Sequence, residues 1–326
     1  MTINNSSSPL VEVRHLSHRY SVDWAIHDIN LELGGNKIVG LLGSNGAGKS
    51  TLMNIISGVL TQTSGKVLIN GWDINENSTN AKKQIGFLPQ KPPLHIDLSV
   101  QEYLEYSADL RLIEKKNVKR AIDEVLDKCA ITHFRHRLIK NLSGGYQQRV
   151  GIAQSIIHDP KFIVLDEPTN GLDPNQILEI RNLIKEISNN KIVLLSTHIL
   201  QEVQAMCDDI IMIELGKFVF DGTIGEFNSS LTSKSLILSF GSILETSDIE
   251  IVEGVEGVEK VEVIDENKFR VFIDSNQNVQ KAIIEKSVDK GWHLDEIFKE
   301  KVNPDEIFKY FSKGAGSKLK NKENNS

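Results

Sequence analysis

A glycine-rich segment near the start of the chain constrains the fold more than any other feature. Residues 43–51 fit the pattern G-x-x-x-x-G-K-[ST], which forms a phosphate-binding P-loop, and they are Gly43, Ser44, Asn45, Gly46, Ala47, Gly48, Lys49, Ser50 and Thr51. An apolar strand is predicted over residues 37–42, before the loop, and an apolar helix over residues 51–60, after it. Strand, glycine loop and helix in this order are typical of an α/β nucleotide-binding fold.

The residue types in this loop suit a phosphate chain. Glycines let backbone N–H groups surround the β- and γ-phosphates, and the helix that follows directs the positive end of its dipole at them. Lys49 supplies a cation to the phosphate oxygens, and the Ser50 hydroxyl can ligate Mg²⁺. The loop therefore predicts binding of a nucleoside triphosphate with Mg²⁺.

A second motif follows an apolar strand at residues 162–165. The strand runs directly into Asp166 and Glu167, which places both carboxylates at the carboxyl edge of the sheet. Asp166 can hold Mg²⁺ there, and Glu167 can orient and polarise the attacking water. By itself this pattern fits an ordinary acidic turn equally well. Together with the P-loop it indicates a nucleotide-hydrolysing enzyme.

Residues 142–149, Leu-Ser-Gly-Gly-Tyr-Gln-Gln-Arg, resemble the signature motif of the ABC ATPases. Four further matches follow the order of that family: Tyr20 resembles the aromatic residue that stacks on adenine, Gln90 the Q-loop glutamine, Asp173 the end of the D-loop, and His198 the switch histidine. The resemblance covers roughly residues 10–225. Tyr20 matches by spacing alone, so an ordinary core or surface aromatic stays an alternative for it.

The resemblance implies a set of roles for these residues. Glu167, His198 and Gln90 would be catalytic, and Ser50, Gln90 and Asp166 would hold Mg²⁺. ATP would be bound by Tyr20, residues 43–51 and Asp173, with Ser143, Gly144 and Gly145 contributed in trans by a second nucleotide-binding subunit, either an identical chain or a paralogue.

The pattern of elements predicts how the chain is divided. The alternation of strands and helices predicts a mainly parallel sheet. The resemblance implies that residues 10–230 form an ABC ATP-binding domain, which also has an antiparallel β subdomain and a helical subdomain over about 91–158. A helix is predicted over residues 99–128, with Ser99 and Glu102 as its capping box. Residues 231–312 are predicted to form a small α+β domain, for which a ferredoxin-like fold is one candidate. Its last helix would open at Asn303 and Pro304.

Composition excludes several other classes of protein. The formal charge of −7 shows no excess of basic residues, so nucleic acid is not an expected partner. Two cysteines far apart in sequence predict reduced thiols rather than a disulfide or a metal site. No run of about 18 apolar residues and no signal peptide is present, and the Gly/Lys/Asn-rich tail at 313–326 is predicted to be disordered.

The resemblance implies an ATPase that powers transport through a transmembrane permease subunit, bound peripherally at the cytoplasmic face of the inner (cell) membrane. The Pro-Gln-Lys-Pro-Pro-Leu segment at 89–94 and the helix after it resemble the exporter branch related to drug, lantibiotic and gliding-motility ATPases. Two alternatives stay open at this point. One is a soluble ABC ATPase acting on ribosomes or DNA, and the other is an inactive ATP-binding scaffold.

Overall fold

The structure is a computed structural model that describes residues 9–230, 232–241, 244, 246–274 and 278–301 of the 326-residue chain. These residues form two compact units, with the boundary between Ile224 and Gly225. The final helix predicted from Asn303 and the tail at 313–326 lie outside the described residues.

The first unit alternates strands and helices. In chain order its elements are β1 (Val11–Arg19), β2 (Trp24–Leu33), β3 (Lys37–Leu42), α1 (Lys49–Ile56), β4 (Ser64–Ile69), β5 (Trp72–Asp73), α2 (Ser78–Lys83), β6 (Ile85–Leu88), α3 (Val100–Leu110), α4 (Lys115–Lys128), α5 (Gly144–Ile156), β7 (Phe162–Asp166), α6 (Pro174–Ser188), β8 (Ile192–Thr197), α7 (Leu200–Met206), β9 (Asp209–Glu214) and β10 (Lys217–Thr223). Two short 3₁₀ turns, Thr132–Phe134 and Ile139–Asn141, lie between α4 and α5. The helix α8 (Ile224–Ser230) follows at the boundary.

The larger sheet of this unit has the strand order β10-β9-β3-β8-β7-β6. Strands β9, β3, β8, β7 and β6 run parallel, and only the edge strand β10 is antiparallel. Every residue of β7 and β8 is buried, as expected for parallel strands covered on both faces. The predicted mainly parallel core is confirmed.

A second, antiparallel sheet has the order β2-β1-β4-β5. Its strands alternate buried and exposed residues along much of their length, because only one face meets the core. The apolar side chains of α1, including Leu52 and Ile56, belong to one buried cluster with residues of both sheets. This packing fixes the start of α1 and hence the P-loop against the core.

The helix predicted over residues 99–128 is divided in two. The capping box of Ser99 and Glu102 is confirmed at the start of α3, but α3 stops at Leu110 and α4 starts at Lys115. Leu112 takes a left-handed φ of 58°, and the amide of Ile113 donates to the Ala108 carbonyl. This is a Schellman cap, which usually carries glycine or asparagine at the left-handed position. Because leucine occupies that position here, the sequence did not predict the end of the helix.

The second unit contains β11 (Thr232–Phe240), α9 (Thr246–Glu253), β12 (Val258–Asp265), β13 (Lys268–Ile273), α10 (Val279–Lys290) and β14 (Leu294–Lys301). Its antiparallel sheet has the order β12-β13-β11-β14. A β-α-β-β-α-β order with this pairing is the ferredoxin-like arrangement. Leu236, Leu238, Phe269 and Val271 on the two central strands belong to a separate apolar core.

The end of α4 repeats the Schellman cap with Ala130 at the left-handed position, where φ is 54°. An L side chain costs about 1–2 kcal/mol in this conformation, and glycine avoids most of that cost. We expect Ala130→Gly to raise the free energy of unfolding by up to about 1 kcal/mol, which thermal denaturation would show as a higher midpoint.

The matched control is Ala121→Gly in the interior of the same helix, which should lower stability by about 1 kcal/mol. A loss of stability in both variants would contradict the assignment of Ala130 as the helix cap.

Candidate functional site

The P-loop connects the buried strand β3 to α1, and its backbone needs glycine at two points. Gly48 has a φ of 109°, and a Cβ there would lie 2.7 Å from the Ala25 carbonyl oxygen. A Cβ on Gly43 would lie 2.5 Å from the carbonyl oxygen of Ile213. Both positions therefore exclude any larger side chain. Between these two glycines, Asn45 and Gly46 are exposed and Ala47 is buried.

Lys49 is buried inside this loop. Its Nζ donates to the carbonyl oxygens of Gly43 at 2.9 Å and Ser44 at 3.0 Å. Burial lowers the pKa of the ammonium group, and the nearby carboxylates of Glu167 and Asp166 act in the opposite direction. The ammonium is thus held at the inner wall of the loop, facing two carboxylates. Ser50 and Thr51 follow it in the first turn of α1.

The parallel sheet brings the other predicted residues to the same edge. The P-loop follows β3, Asp166 ends β7, and His198 follows β8 directly, while Gln90 lies two residues after β6. Because these four strands run parallel in one sheet, their carboxyl ends lie side by side. Residues distant in sequence therefore form one site.

Glu167 is the centre of a group of hydrogen bonds at this edge. Its Oε2 accepts from Gln90 Nε2 at 2.9 Å and from Asn170 Nδ2 at 3.0 Å. Its Oε1 lies 3.3 Å from His198 Nδ1. Glu167 itself has a left-handed φ of 48°, an uncommon conformation for a long side chain. The carboxylate is therefore oriented by three segments of the chain at once.

Asp166 is oriented by a residue that the sequence motifs did not indicate. The Ser196 hydroxyl donates to Asp166 Oδ1 at 2.5 Å and accepts from the Glu167 amide at 2.9 Å. Ser196 lies in β8, next to the last residue of β7, and is fully buried. One hydroxyl thus fixes both members of the acidic pair.

A second residue missed by sequence reasoning is Glu214 at the end of β9. The Ser44 hydroxyl of the P-loop is 2.9 Å from its Oε2. This contact ties the loop to the neighbouring parallel strand. A strand-end glutamate carries no sequence signal for such a contact, which depends on the pairing of β3 with β9.

Tyr20 follows β1 and is 67% exposed. Its hydroxyl lies 3.4 Å from Thr51 Oγ1, so the largely exposed side chain lies beside the P-loop. His18 packs edge-on against it, with the ring centroids 4.8 Å apart. His18 belongs to none of the sequence motifs, and only 8% of it is exposed.

The signature residues lie at the start of α5. Ser143 is its N-cap, Ser143 and Gly144 are exposed, and Gly145 is buried. A Cβ on Gly145 would lie 2.4 Å from Gln176 Oε1 in α6. The N-terminus of α5, whose first backbone N–H groups have no partner within the helix, and the Ser143 hydroxyl therefore lie at the surface of this unit.

Asp173 has a structural partner in the present fold. Its carboxylate caps α6 by accepting from the amides of Asn175 and Gln176, each at 3.0 Å. Pro174 occupies the first helical position, which completes a common start signal.

A hydrogen bond also connects helix α5, which begins at the signature residues, to the loop that follows Asp166 and Glu167. Gln148, just beyond the first turn of α5, is buried, and its Nε2 donates to the Pro168 carbonyl at 2.8 Å. Pro168 directly follows Glu167, so the helix that begins at Ser143 supports the loop that carries the carboxylate.

The comparison with known families agrees with this arrangement. The family model of the ABC transporters matches residues 26–170. The ABC transporter ATP-binding protein YdbJ of Bacillus subtilis (strain 168) is 34% identical over 233 residues, which cover 71% of this chain and 74% of YdbJ. The chain belongs to the ABC transporter ATP-binding proteins.

One further relative and one solved structure are also similar to this ABC protein. The bacitracin transport ATP-binding protein BcrA of Bacillus licheniformis is 35% identical over 214 residues, covering 65% of this chain and 69% of BcrA. The ATP-binding cassette MJ0796 is 25% identical in sequence to this chain, and its solved structure is a dimer in a post-hydrolysis state bound to ADP and phosphate. It superposes with a TM-score of 0.60 and covers 66% of this chain and 98% of that one.

No helix in the described part of the ABC protein is long and apolar enough to cross a membrane.

We expect Ser196→Ala to destabilise the protein by about 1–3 kcal/mol, because it leaves the buried Glu167 amide without its acceptor. ATP turnover should fall as well, since Asp166 loses the hydroxyl that orients it. Urea denaturation and a phosphate-release assay would measure the two effects.

Ser155→Ala is the control, because Ser155 is equally buried but donates only to the Ile152 carbonyl within its own helix. It should cost at most about 1 kcal/mol and leave turnover unchanged. Equal effects of the two variants would show that the Ser196 hydroxyl has no special role.

Proposed function

We propose that this chain hydrolyses ATP and thereby powers transport, in the direction of export, through a separate membrane-spanning partner. The observation that carries the proposal is the position of Glu167. Its carboxylate is held by Gln90, Asn170 and His198 at the sheet edge where the P-loop begins. A pocket that only bound nucleotide would not need a carboxylate oriented in this way.

ATP would lie along the loop at residues 43–51. The backbone amides and Lys49 would bind its phosphates, and the exposed ring of Tyr20 beside Thr51 would stack on adenine. The two carbonyl contacts that Lys49 makes hold its ammonium within the loop. The phosphates would therefore meet a cation whose position is set before they arrive.

The oxygen atoms near the loop suit Mg²⁺, which prefers hard oxygen ligands. Ser50 offers a hydroxyl, Asp166 keeps its Oδ2 beside the oxygen that Ser196 occupies, and Gln90 keeps its Oε1 because its Nε2 is bound to Glu167. These three residues would hold the ion. Bound there, it would neutralise charge on the β- and γ-phosphates.

Glu167 would act as the general base. Its carboxylate would orient and polarise the water that attacks the γ-phosphate, and the hydrogen bonds from Gln90 and Asn170 limit its rotation. His198 is 43% exposed in its side chain and lies beside Glu167, so it could reach the γ-phosphate directly. Water attack transfers the phosphoryl group and leaves ADP and phosphate.

A second nucleotide-binding subunit would complete each site. Ser143 and Gly144 are exposed at the start of α5, where a hydroxyl and backbone amides can meet the γ-phosphate of a partner subunit. MJ0796, with the same fold, is dimeric in its post-hydrolysis structure. The partner would be an identical chain or a paralogue, and Asp173 would lie near the contact between them.

The export direction and the membrane partner are proposed from the relatives of the chain. BcrA is a bacitracin transport ATP-binding protein, and the segment at 89–94 resembles the exporter branch. The chain would then bind peripherally at the cytoplasmic face of the cell membrane, on a transmembrane permease subunit. The names of YdbJ and BcrA give no support to action on ribosomes or DNA. The presence of Lys49, Asp166, Glu167 and His198 in one site disfavours an inactive scaffold.

The test is the Glu167→Gln variant. It should bind ATP normally, hydrolyse it about 10²–10⁴ times more slowly, and accumulate as an ATP-bound dimer. Nucleotide binding, phosphate release and size-exclusion chromatography measure the three effects. A tagged form with ATP, used on detergent-solubilised native membranes, should retain a polytopic membrane protein.

Glu285→Gln, an exposed glutamate on α10, is the matched control and should behave like the unmodified chain. An ATP-bound monomer would contradict the dimeric site. Retention of ribosomal or DNA-repair proteins, with no membrane protein, would contradict the transport function.

Lys49→Ala tests the phosphate site itself. It removes the cation from the loop and should abolish most nucleotide affinity, as measured by equilibrium binding of a fluorescent ATP analogue. Lys185→Ala, on the exposed side of α6, should bind the analogue as the unmodified chain does. Normal binding by Lys49→Ala would refute the assignment of the P-loop.

A further inference from the structure

A buried carboxylate lies behind the candidate site, in the first turn of α7. Glu202 is 2% exposed and belongs to none of the sequence motifs. Its Oε1 accepts a hydrogen bond from Thr169 Oγ1 at 2.7 Å, and its Oε2 accepts one from Thr197 Oγ1 at 2.8 Å. Both threonines are buried as well, so the whole group lies in the interior of the first unit.

The two threonines belong to the segments that carry Glu167 and His198. Thr169 lies in the loop after Glu167, and Thr197 is the last residue of β8, directly before His198. At the site itself, Glu167 Oε1 lies 3.3 Å from His198 Nδ1. Glu202 therefore connects, from the buried side, the same two segments that meet at the site. The two contacts and the ends of β7 and β8 form a closed ring.

The direction of the hydrogen bonds fixes the backbone around His198. A carboxylate accepts at both of its oxygens, so each threonine hydroxyl donates to Glu202. Thr197 Oγ1 is then available as an acceptor, and the amide of Ile199 donates to it at 3.1 Å. The residues on both sides of His198 are thus held by one hydroxyl. A glutamine in place of Glu202 would have to present its NH₂ group to one of the two threonines.

Helix α6 supplies the charge opposite this carboxylate. Arg181 Nη2 lies 3.9 Å from Glu202 Oε1, and the Arg181 side chain is 23% exposed. Its Nε is buried and has no hydrogen-bond partner within the part of the chain that the structure describes. An apolar side chain would fill the same space at a lower cost in free energy than a buried ion pair. Packing alone therefore gives no reason for a carboxylate at this position.

We propose that Glu202 is a positioning residue for ATP hydrolysis, which holds the loop of Glu167 and the turn of His198 in a fixed relation through the hydroxyls of Thr169 and Thr197. The inference rests on the proposed ATPase function and adds a residue that acts through others. Its threonine partners belong to β8 and to the loop after β7, and not to residues 43–51, which would bind the phosphates. Glu202 therefore affects the rate of hydrolysis and not the affinity for ATP, because misplacing a reactive group by about 1 Å can lower a rate by about 10²-fold.

Steady-state ATP turnover of the purified full chain tests this role. Glu202→Ala should lower kcat by about 10–100-fold. The KM for ATP and the equilibrium binding of a fluorescent ATP analogue should stay unchanged, since the P-loop is intact. Glu202→Gln should retain more turnover than Glu202→Ala, because its amide oxygen can still accept from one of the two hydroxyls.

A double-mutant cycle separates positioning from general damage to the fold. Thr169→Val removes one hydroxyl and keeps the shape of the side chain, and by itself it should lower kcat. Combined with Glu202→Ala it should lower kcat no further than Glu202→Ala alone, because Thr169 acts through Glu202. If the two residues acted independently, their effects would multiply.

Ile187→Ala is the control for lost stability. Ile187 is 4% exposed, and it lies on α6 of the same unit without a part in the hydrogen bonds around Glu202. The variant should have a lower melting temperature, because it leaves a cavity. At a temperature where it is folded, its kcat should equal that of the unmodified chain.

The outcomes distinguish this inference from the proposed function. A folded Glu202→Ala chain with unchanged kcat, or multiplied effects in the double variant, would overturn the inference and leave the ATPase function standing. Equal losses of kcat in Ile187→Ala and Glu202→Ala would overturn it too. If Glu202→Ala does not fold, unchanged kcat in both Glu202→Gln and Thr169→Val has the same meaning. No turnover by the unmodified chain would refute the proposed function, and the inference with it.

Discussion

The parallel pairing of β3, β8, β7 and β6 determines where every group in the site lies. Each of these strands is buried, and each ends in a polar residue or leads into a polar loop at the same edge. Apolar side chains cover both faces of these strands. Because burying an unpaired polar side chain there would cost free energy, the polar residues are confined to the strand ends. Chemistry at this edge is therefore a consequence of how the core packs.

The acidic pair shows how closely packing and chemistry are connected. Asp166 and Glu167 are both buried, and two carboxylates in that position need donors around them. The Ser196 hydroxyl donates to the Asp166 carboxylate and accepts from the Glu167 backbone amide. The side-chain amides of Gln90 and Asn170 donate to the Glu167 carboxylate. The same hydrogen bonds that make the burial tolerable also set the orientation that hydrolysis would require.

Local patterns in the sequence were enough for part of this structure. The P-loop, the apolar strand before Asp166 and the capping box at Ser99 each depend on a few neighbouring residues, and the structure has the loop, the strand and the cap at those positions. The break at Leu112 was missed because its left-handed conformation is carried by leucine rather than glycine. Ser196 and Glu214 were missed for another reason. Their partners lie 30 and 170 residues away, and only the order of strands in the sheet brings them together.

The hydrogen bond from Gln148 to Pro168 gives the signature helix a second effect on the site. Its N-cap is the exposed Ser143, and five residues later the side chain of Gln148 donates a hydrogen bond to the carbonyl of Pro168, the residue immediately after Glu167. A tilt of this helix, imposed at its exposed end by a neighbouring subunit, would pull on the backbone that positions the carboxylate. The position of the Glu167 carboxylate would thus respond to a force applied at the exposed end of α5, outside the P-loop.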